Sequence, residues 1–160
     1  MTSLITSFVP SITILGVIFI VALVLTQTRP AVSSSELPAI NRTVLIAVAV
    51  HLLHFSEETM FDFHILFPQL FGLPAMPLWA FIAFNCAWIV IWLLGTQLKQ
   101  TQTLVIATFW FLAIASAMNG LAHPLFALLT AGYFPGLVTS PLAGVVGFIL
   151  LSRLRQASSK

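Results

Sequence analysis

Five apolar runs, near residues 8–27, 43–67, 73–95, 102–130 and 136–152, approach or exceed the roughly 18 residues a helix needs to cross the hydrocarbon of a bilayer. Backbone N–H and C=O groups at that depth find no water, so runs of this length are satisfied only as helices. Loop chemistry separates them: Arg29, Pro30, Ser33 to Ser35 and Pro38; then Pro68, Gly72, Pro74 and Pro77; then Gly95 to Gln102; then Gly132, Pro135 and Gly136. The expected fold is all-α, a polytopic transmembrane bundle of about five helices forming a single membrane domain over 1–160. Pro124 and Pro141 fall inside the fourth and fifth runs, where neighbouring helices can satisfy the freed carbonyls.

Composition excludes the alternatives. Hydrophobic residues make up 59% of the chain and charged residues 6%, with a mean hydropathy of +1.08, whereas a soluble domain carries roughly a quarter charged residues. A multi-pass protein of the cell membrane is expected, with membrane lipids as its immediate partners. The formal net charge of +2 is too small to recruit nucleic acid. Cys86 is the only cysteine, so neither a disulfide nor a cysteine-based metal site can form within the chain.

The basic residues set an expected orientation. Arg29 and Arg42 lie between the first two runs, Lys99 between the third and fourth, and Arg153, Arg155 and Lys160 after the fifth, which places all six on one side. The positive-inside rule makes that side cytoplasmic, with the N-terminus outside and the C-terminus inside. A cleaved signal peptide over residues 1–28 is the competing reading, but no basic residue precedes the apolar stretch.

The second run contains residues that lipid excludes: His51, His54, Glu57, Glu58, Asp62 and His64 within VAVHLLHFSEETMFDFHILF. An ionised side chain at mid-bilayer costs roughly 2.5–3.5 kcal/mol, so these groups must face inward and find partners. At about 100° per residue, His51, His54, Glu57, Glu58 and Asp62 fall within an arc of roughly 140°, with Leu52, Ser56, Thr59 and Phe63 on the opposite side. His64, close to Pro68, is expected at the interface. The fourth run adds Asn119 and His123, one helical turn apart on a stripe shared with Ser116, and the third adds Asn85. Ala115, Gly120 and Ala122 are small, as where a second helix approaches closely. Counted from the cytoplasmic ends, His54 and Glu58 lie about 18 and 24 Å along their helix, and Asn119 and His123 about 27 and 33 Å along theirs. The two clusters can meet, in the middle to outer half of the bilayer.

His54-Phe-Ser-Glu57-Glu58, followed by Asn119-Gly-Leu-Ala-His123 and then by Tyr133-Phe-Pro135-Gly136-Leu-Val-Thr139, resembles the HXXEE-motif family of small prokaryotic membrane proteins. The likeness covers roughly residues 45 to 150. It implies a membrane-embedded site suited to an enzyme and leaves the reaction open. His51, Asp62, His64 and Asn85 are not part of the motif; His51, Asp62 and Asn85 are expected as polar packing or pocket rim. Tyr133, Pro135 and Gly136 read first as an outer turn leading into the last helix, with Tyr133 within reach of the site mouth.

The candidate catalytic set is His54, Glu57, Glu58, Asn119 and His123, and it supports several chemistries. As a metal site, His54 and Glu58 one turn apart would be joined by His123 as two-histidine, one-carboxylate ligands for a divalent ion, zinc or iron, with Glu57 as base. Without a cofactor, two adjacent carboxyl groups would divide into an acid and a base while a histidine and Asn119 orient substrate. Either way the substrate is a lipid-like or hydrophobic small molecule. Two further readings stay open: a transporter or proton-relay component, and a structural polar network that only fixes helix register.

Overall fold

Helices account for most of the described residues, as backbone satisfaction in lipid demands. The structure, a computed structural model, describes residues 2–98 and 103–158, with side chains from residue 6 onward. Six helices and no strands are present among them: α1 (Thr2–Thr28), α2 (Leu37–Met60), α3 (Phe63–Gln69), α4 (Leu78–Gln97), α5 (Thr103–Leu129) and α6 (Ser140–Ala157). Four of these, α1, α2, α4 and α5, are long and apolar enough to cross a membrane. The fifth apolar run folds as α6, which starts at Ser140 rather than 136 and gives its last turns to Arg153 and Arg155. Pro141 consequently sits in the first turn of α6, where a missing N–H costs nothing.

The second run, expected as one helix over 43–67, is two. α2 begins at Leu37, with Pro38 in its first turn, and ends at Met60. Asp62 then adopts a left-handed conformation (φ 63°), which aspartate tolerates better than most residues, and α3 starts afresh at Phe63. The break rotates everything beyond it: Asp62 is exposed and off the polar arc, while Phe63 turns inward. His64, expected at the interface, is buried; its ring stacks on Phe81 and its carbonyl accepts the Met76 N–H. That bond ties down the segment before α4, which starts at Leu78 instead of 73.

α5 is the central element, packed most extensively on α6 and then on α1, and it continues through Pro124. Small residues make the α5–α6 contact possible. Gly120 and Gly144 meet backbone to backbone, and a Cβ on Gly147 would collide with the backbone of Ala117. α2 lies against α6, α4 and α5.

The helix ends sort into two groups. Asn41 near the start of α2 donates to the Thr96 carbonyl near the end of α4. Arg29 after α1 stacks on Trp110, and a small recess beside it is lined by Thr103 and by Ser158 after α6. Arg29, Arg42, Arg153 and Arg155 thus belong to one end of the bundle; Lys99 and Lys160 lie outside the described residues. The C-terminal turns of α2 and α5 meet at the opposite end, together with α3 and the 130–139 connection.

Candidate metal centre

His54 and Glu58 stand one turn apart on α2, so their side chains share a stripe that faces α5, where His123 projects back at them. The three side chains are buried, at 0%, 6% and 2% exposure. His54 Nε2 lies 3.1 Å from His123 Nε2, and Glu58 Oε1 lies 3.5 Å from the first and 3.4 Å from the second. Together they could hold a metal ion. A triangle with those edges has its centre about 1.9 Å from each corner, close to the roughly 2.0–2.2 Å of zinc–nitrogen and zinc–oxygen bonds. An ion held by these three residues would have only three protein ligands, which leaves room for water or substrate.

The outer nitrogens of the two rings decide what the inner ones can offer. His123 Nδ1 is 2.6 Å from the Pro135 carbonyl, which only accepts, so Nδ1 carries the proton. His54 Nδ1 is 2.8 Å from Thr139 Oγ1, and that hydroxyl donates its own hydrogen to Glu57 at 2.6 Å, so here too Nδ1 must be the donor. Each neutral ring therefore turns a bare Nε2 lone pair toward the other and toward a carboxylate oxygen. Three acceptors converging at these distances repel unless a metal ion or a proton lies among them. Outer N–H groups held by a carbonyl and by a carboxylate-linked hydroxyl are also the arrangement that orients metal-bound histidines.

Glu57, one residue round the helix from Glu58, points about 100° away toward the segment before α6. Its Oε1 accepts from the Tyr133 hydroxyl at 2.6 Å and the Val138 N–H at 3.0 Å, and its Oε2 from the Thr139 N–H at 2.8 Å and the Thr139 hydroxyl. The carboxylate thus closes the N-terminal threshold of α6, where the helix dipole favours negative charge. Partial burial and the bond to Glu57 push the Tyr133 hydroxyl above its ordinary pKa, which keeps it a donor.

No protein-family model, curated protein or solved structure matches this chain. What the site can do is therefore read from its own geometry.

A cavity of about 330 Å³ adjoins the cluster, lined by residues of α1 to α5, with Glu58 and His123 at its polar end. Asn119 lines it one turn from His123 without bonding to either histidine or either glutamate. His51 and Asn85 also line it; they adjoin each other, and His51 meets Trp92 edge to face. Of the expected set, His54, Glu58 and His123 converge, Asn119 faces the cavity beside them, and Glu57 is joined to them through Thr139. Asp62 and His64 stand apart.

Within the 133–139 segment, sequence reading brought only Tyr133 to the site mouth and missed Pro135, Gly136 and Thr139. Gly136 has φ +90°, and a Cβ there would come within 2.5 Å of the His123 ring and 2.8 Å of the His54 ring. The chain can pass over both imidazoles only because this residue has no side chain. Thr139 and the Pro135 carbonyl fix the two tautomers. The available signal was the Pro135–Gly136 pair, which marks a turn without showing what the turn packs on.

Proposed function

We propose that this chain is a membrane-embedded, divalent-metal-dependent enzyme acting on a lipid-like or hydrophobic small molecule. The observation that carries this is the facing pair of Nε2 lone pairs on His54 and His123 with Glu58 Oε1, opening onto an apolar cavity. His54, His123 and Glu58 would hold the ion, zinc or iron. It would supply Lewis-acid polarisation, an activated water or redox chemistry at the open positions. The residues around it do the rest. Thr139 and Pro135 hold the rings in the ligating tautomer, Glu57 fixes Thr139, and Asn119 offers an amide to orient a substrate oxygen. In this reading Glu57 is a positioning residue rather than the base, since both its oxygens are engaged by donors. Membership of the HXXEE-motif family is the placement we favour. The basic end would be cytoplasmic, with α6 as the fifth crossing and the site in the outer half of the cell membrane.

Metal content of the purified protein after exposure to Zn²⁺ or Fe²⁺ tests this. One ion per chain, lost in His54→Ala and His123→Ala, is the expected result, and a chain that takes up neither metal refutes it. A second reading rests on the same 3.1 Å contact: a proton shared between the two Nε2 atoms would also satisfy them, as acid/base chemistry or a proton relay requires. That reading gains if the protein stays metal-free yet turns over a lipid, or moves protons, in a manner dependent on His54.

A further inference from the structure

The cavity beside the cluster is bounded by α1 and α4 together, yet these two helices make no extended backbone contact: α1 packs on α5 and touches α3. Aromatic side chains close their seam toward each end. Toward the basic end, Phe19 of α1 meets Trp88 of α4 with ring centroids 5.8 Å apart. Toward the other end, Phe8 packs in the aromatic cluster of Phe67, Phe81 and Phe134. Between those contacts the walls are Ile12 and Leu15 on one side and Phe84 and Asn85 on the other. Ile12 and Ile14 both line the cavity and are 57% and 40% exposed. Residues two apart on a helix point about 160° from each other, so a void touching both wraps a flank of α1 instead of ending behind it. The cavity therefore reaches the side of the bundle, at the depth of a bilayer-spanning helix, where the surrounding medium is lipid.

The chemistry of the walls defines what fits. Apolar and aromatic side chains form most of the lining, and the accessible polar groups nearest the cluster are the Asn119 amide, the Glu58 carboxyl and the His123 ring. Cavities of about this volume take small ligands, and a few polar groups among apolar walls fix the ligand's orientation.

We propose that the seam between α1 and α4 is a lateral portal through which a membrane-dissolved amphiphile, an apolar chain or ring system bearing one hydroxyl or carbonyl group, passes into the cavity and docks its oxygen beside Asn119. This rests on the reading of the cavity as the substrate chamber, and it is independent of whether a metal is bound.

Photolabelling tests it, with the full chain in phospholipid nanodiscs and a long-chain fatty alcohol carrying a diazirine in mid-chain. Labels are expected on Ile12, Leu15, Phe84 and Trp88, and an excess of the unlabelled alcohol should reduce them at least tenfold while leaving labels on lipid-facing Leu94 and Leu128 unchanged. An alkane probe without the hydroxyl should label the seam several-fold less, and Asn119→Leu should erase that preference. Labels confined to outward-facing residues, or seam labels that do not compete, overturn the proposal. Metal content measured on the same samples after exposure to Zn²⁺ or Fe²⁺ separates the two readings: competed seam labels on a chain that takes up neither ion leave the portal standing while the metal centre falls.

Discussion

Gly136→Ala puts the most weight on the smallest change. Two costs add. A non-glycine residue held at φ +90° is strained by about 1–3 kcal/mol. The new methyl also has to sit 2.5 Å from His123 Cε1 and Nδ1 and 2.8 Å from His54 Cε1, where carbon contacts are normally near 3.5–4.0 Å. Neither ring can retreat freely, since His123 is tethered to the Pro135 carbonyl and His54 to Thr139. Overpacking of this kind costs about 1–3 kcal/mol more. The total of about 2–6 kcal/mol should appear as a lowered thermal midpoint in detergent, followed by circular dichroism, and the displaced rings should weaken metal binding at least tenfold. Gly72→Ala is the control, because Gly72 has φ +67° but open space around its Cβ position, so it carries the strain without the collision. Should Gly136→Ala lower the midpoint no more than Gly72→Ala and still bind metal normally, the placement of the 133–139 segment over the two histidines is wrong.

Other substitutions separate site from scaffold. Thr139→Val removes the link between Glu57 and His54, and loss of such an outer partner should weaken metal affinity about 10–100-fold, measured by competition with a chromogenic chelator. Tyr133→Phe deletes one of four donors to Glu57 at a half-exposed position where water can substitute, so a stability loss of about 1 kcal/mol with near-normal metal binding is expected. Glu57→Gln sets an amide donor against two existing donors on whichever side it takes, and should lower stability by about 3 kcal/mol; a neutral effect would show that the carboxylate is not engaged as described. Gly147→Ala drives a methyl into the Ala117 backbone and should destabilise the α5–α6 pair by about 1–3 kcal/mol while the folded fraction keeps its metal stoichiometry.

The helical, membrane-like class of this chain was legible from apolar run length, and the convergence of α2 with α5 from His54, Glu58 and His123 alone, because helical periodicity and the cost of charge in lipid leave few arrangements. The α2–α3 break was not legible: nothing between Ser56 and Leu66 is glycine or proline, and Asp62 takes up the left-handed turn without a local signal. The start of α6 was misplaced by four residues for a related reason, since Gly136 to Thr139 are apolar or neutral and join the run, whereas the Val138 and Thr139 N–H groups are held by a carboxylate from another helix. Helical spacing already set Glu58 on the His54 stripe and Glu57 about 100° away. What Glu57 meets was not legible, because its donors come from the 133–139 segment.

The account stands or falls on the three converging atoms. X-ray absorption spectroscopy on the zinc- or iron-loaded protein reads them directly: the account predicts two imidazole nitrogens and one carboxylate oxygen at about 2.0–2.2 Å with further light-atom ligands at the open positions. A spectrum showing a single imidazole, or an ion coordinated by water alone, would contradict it.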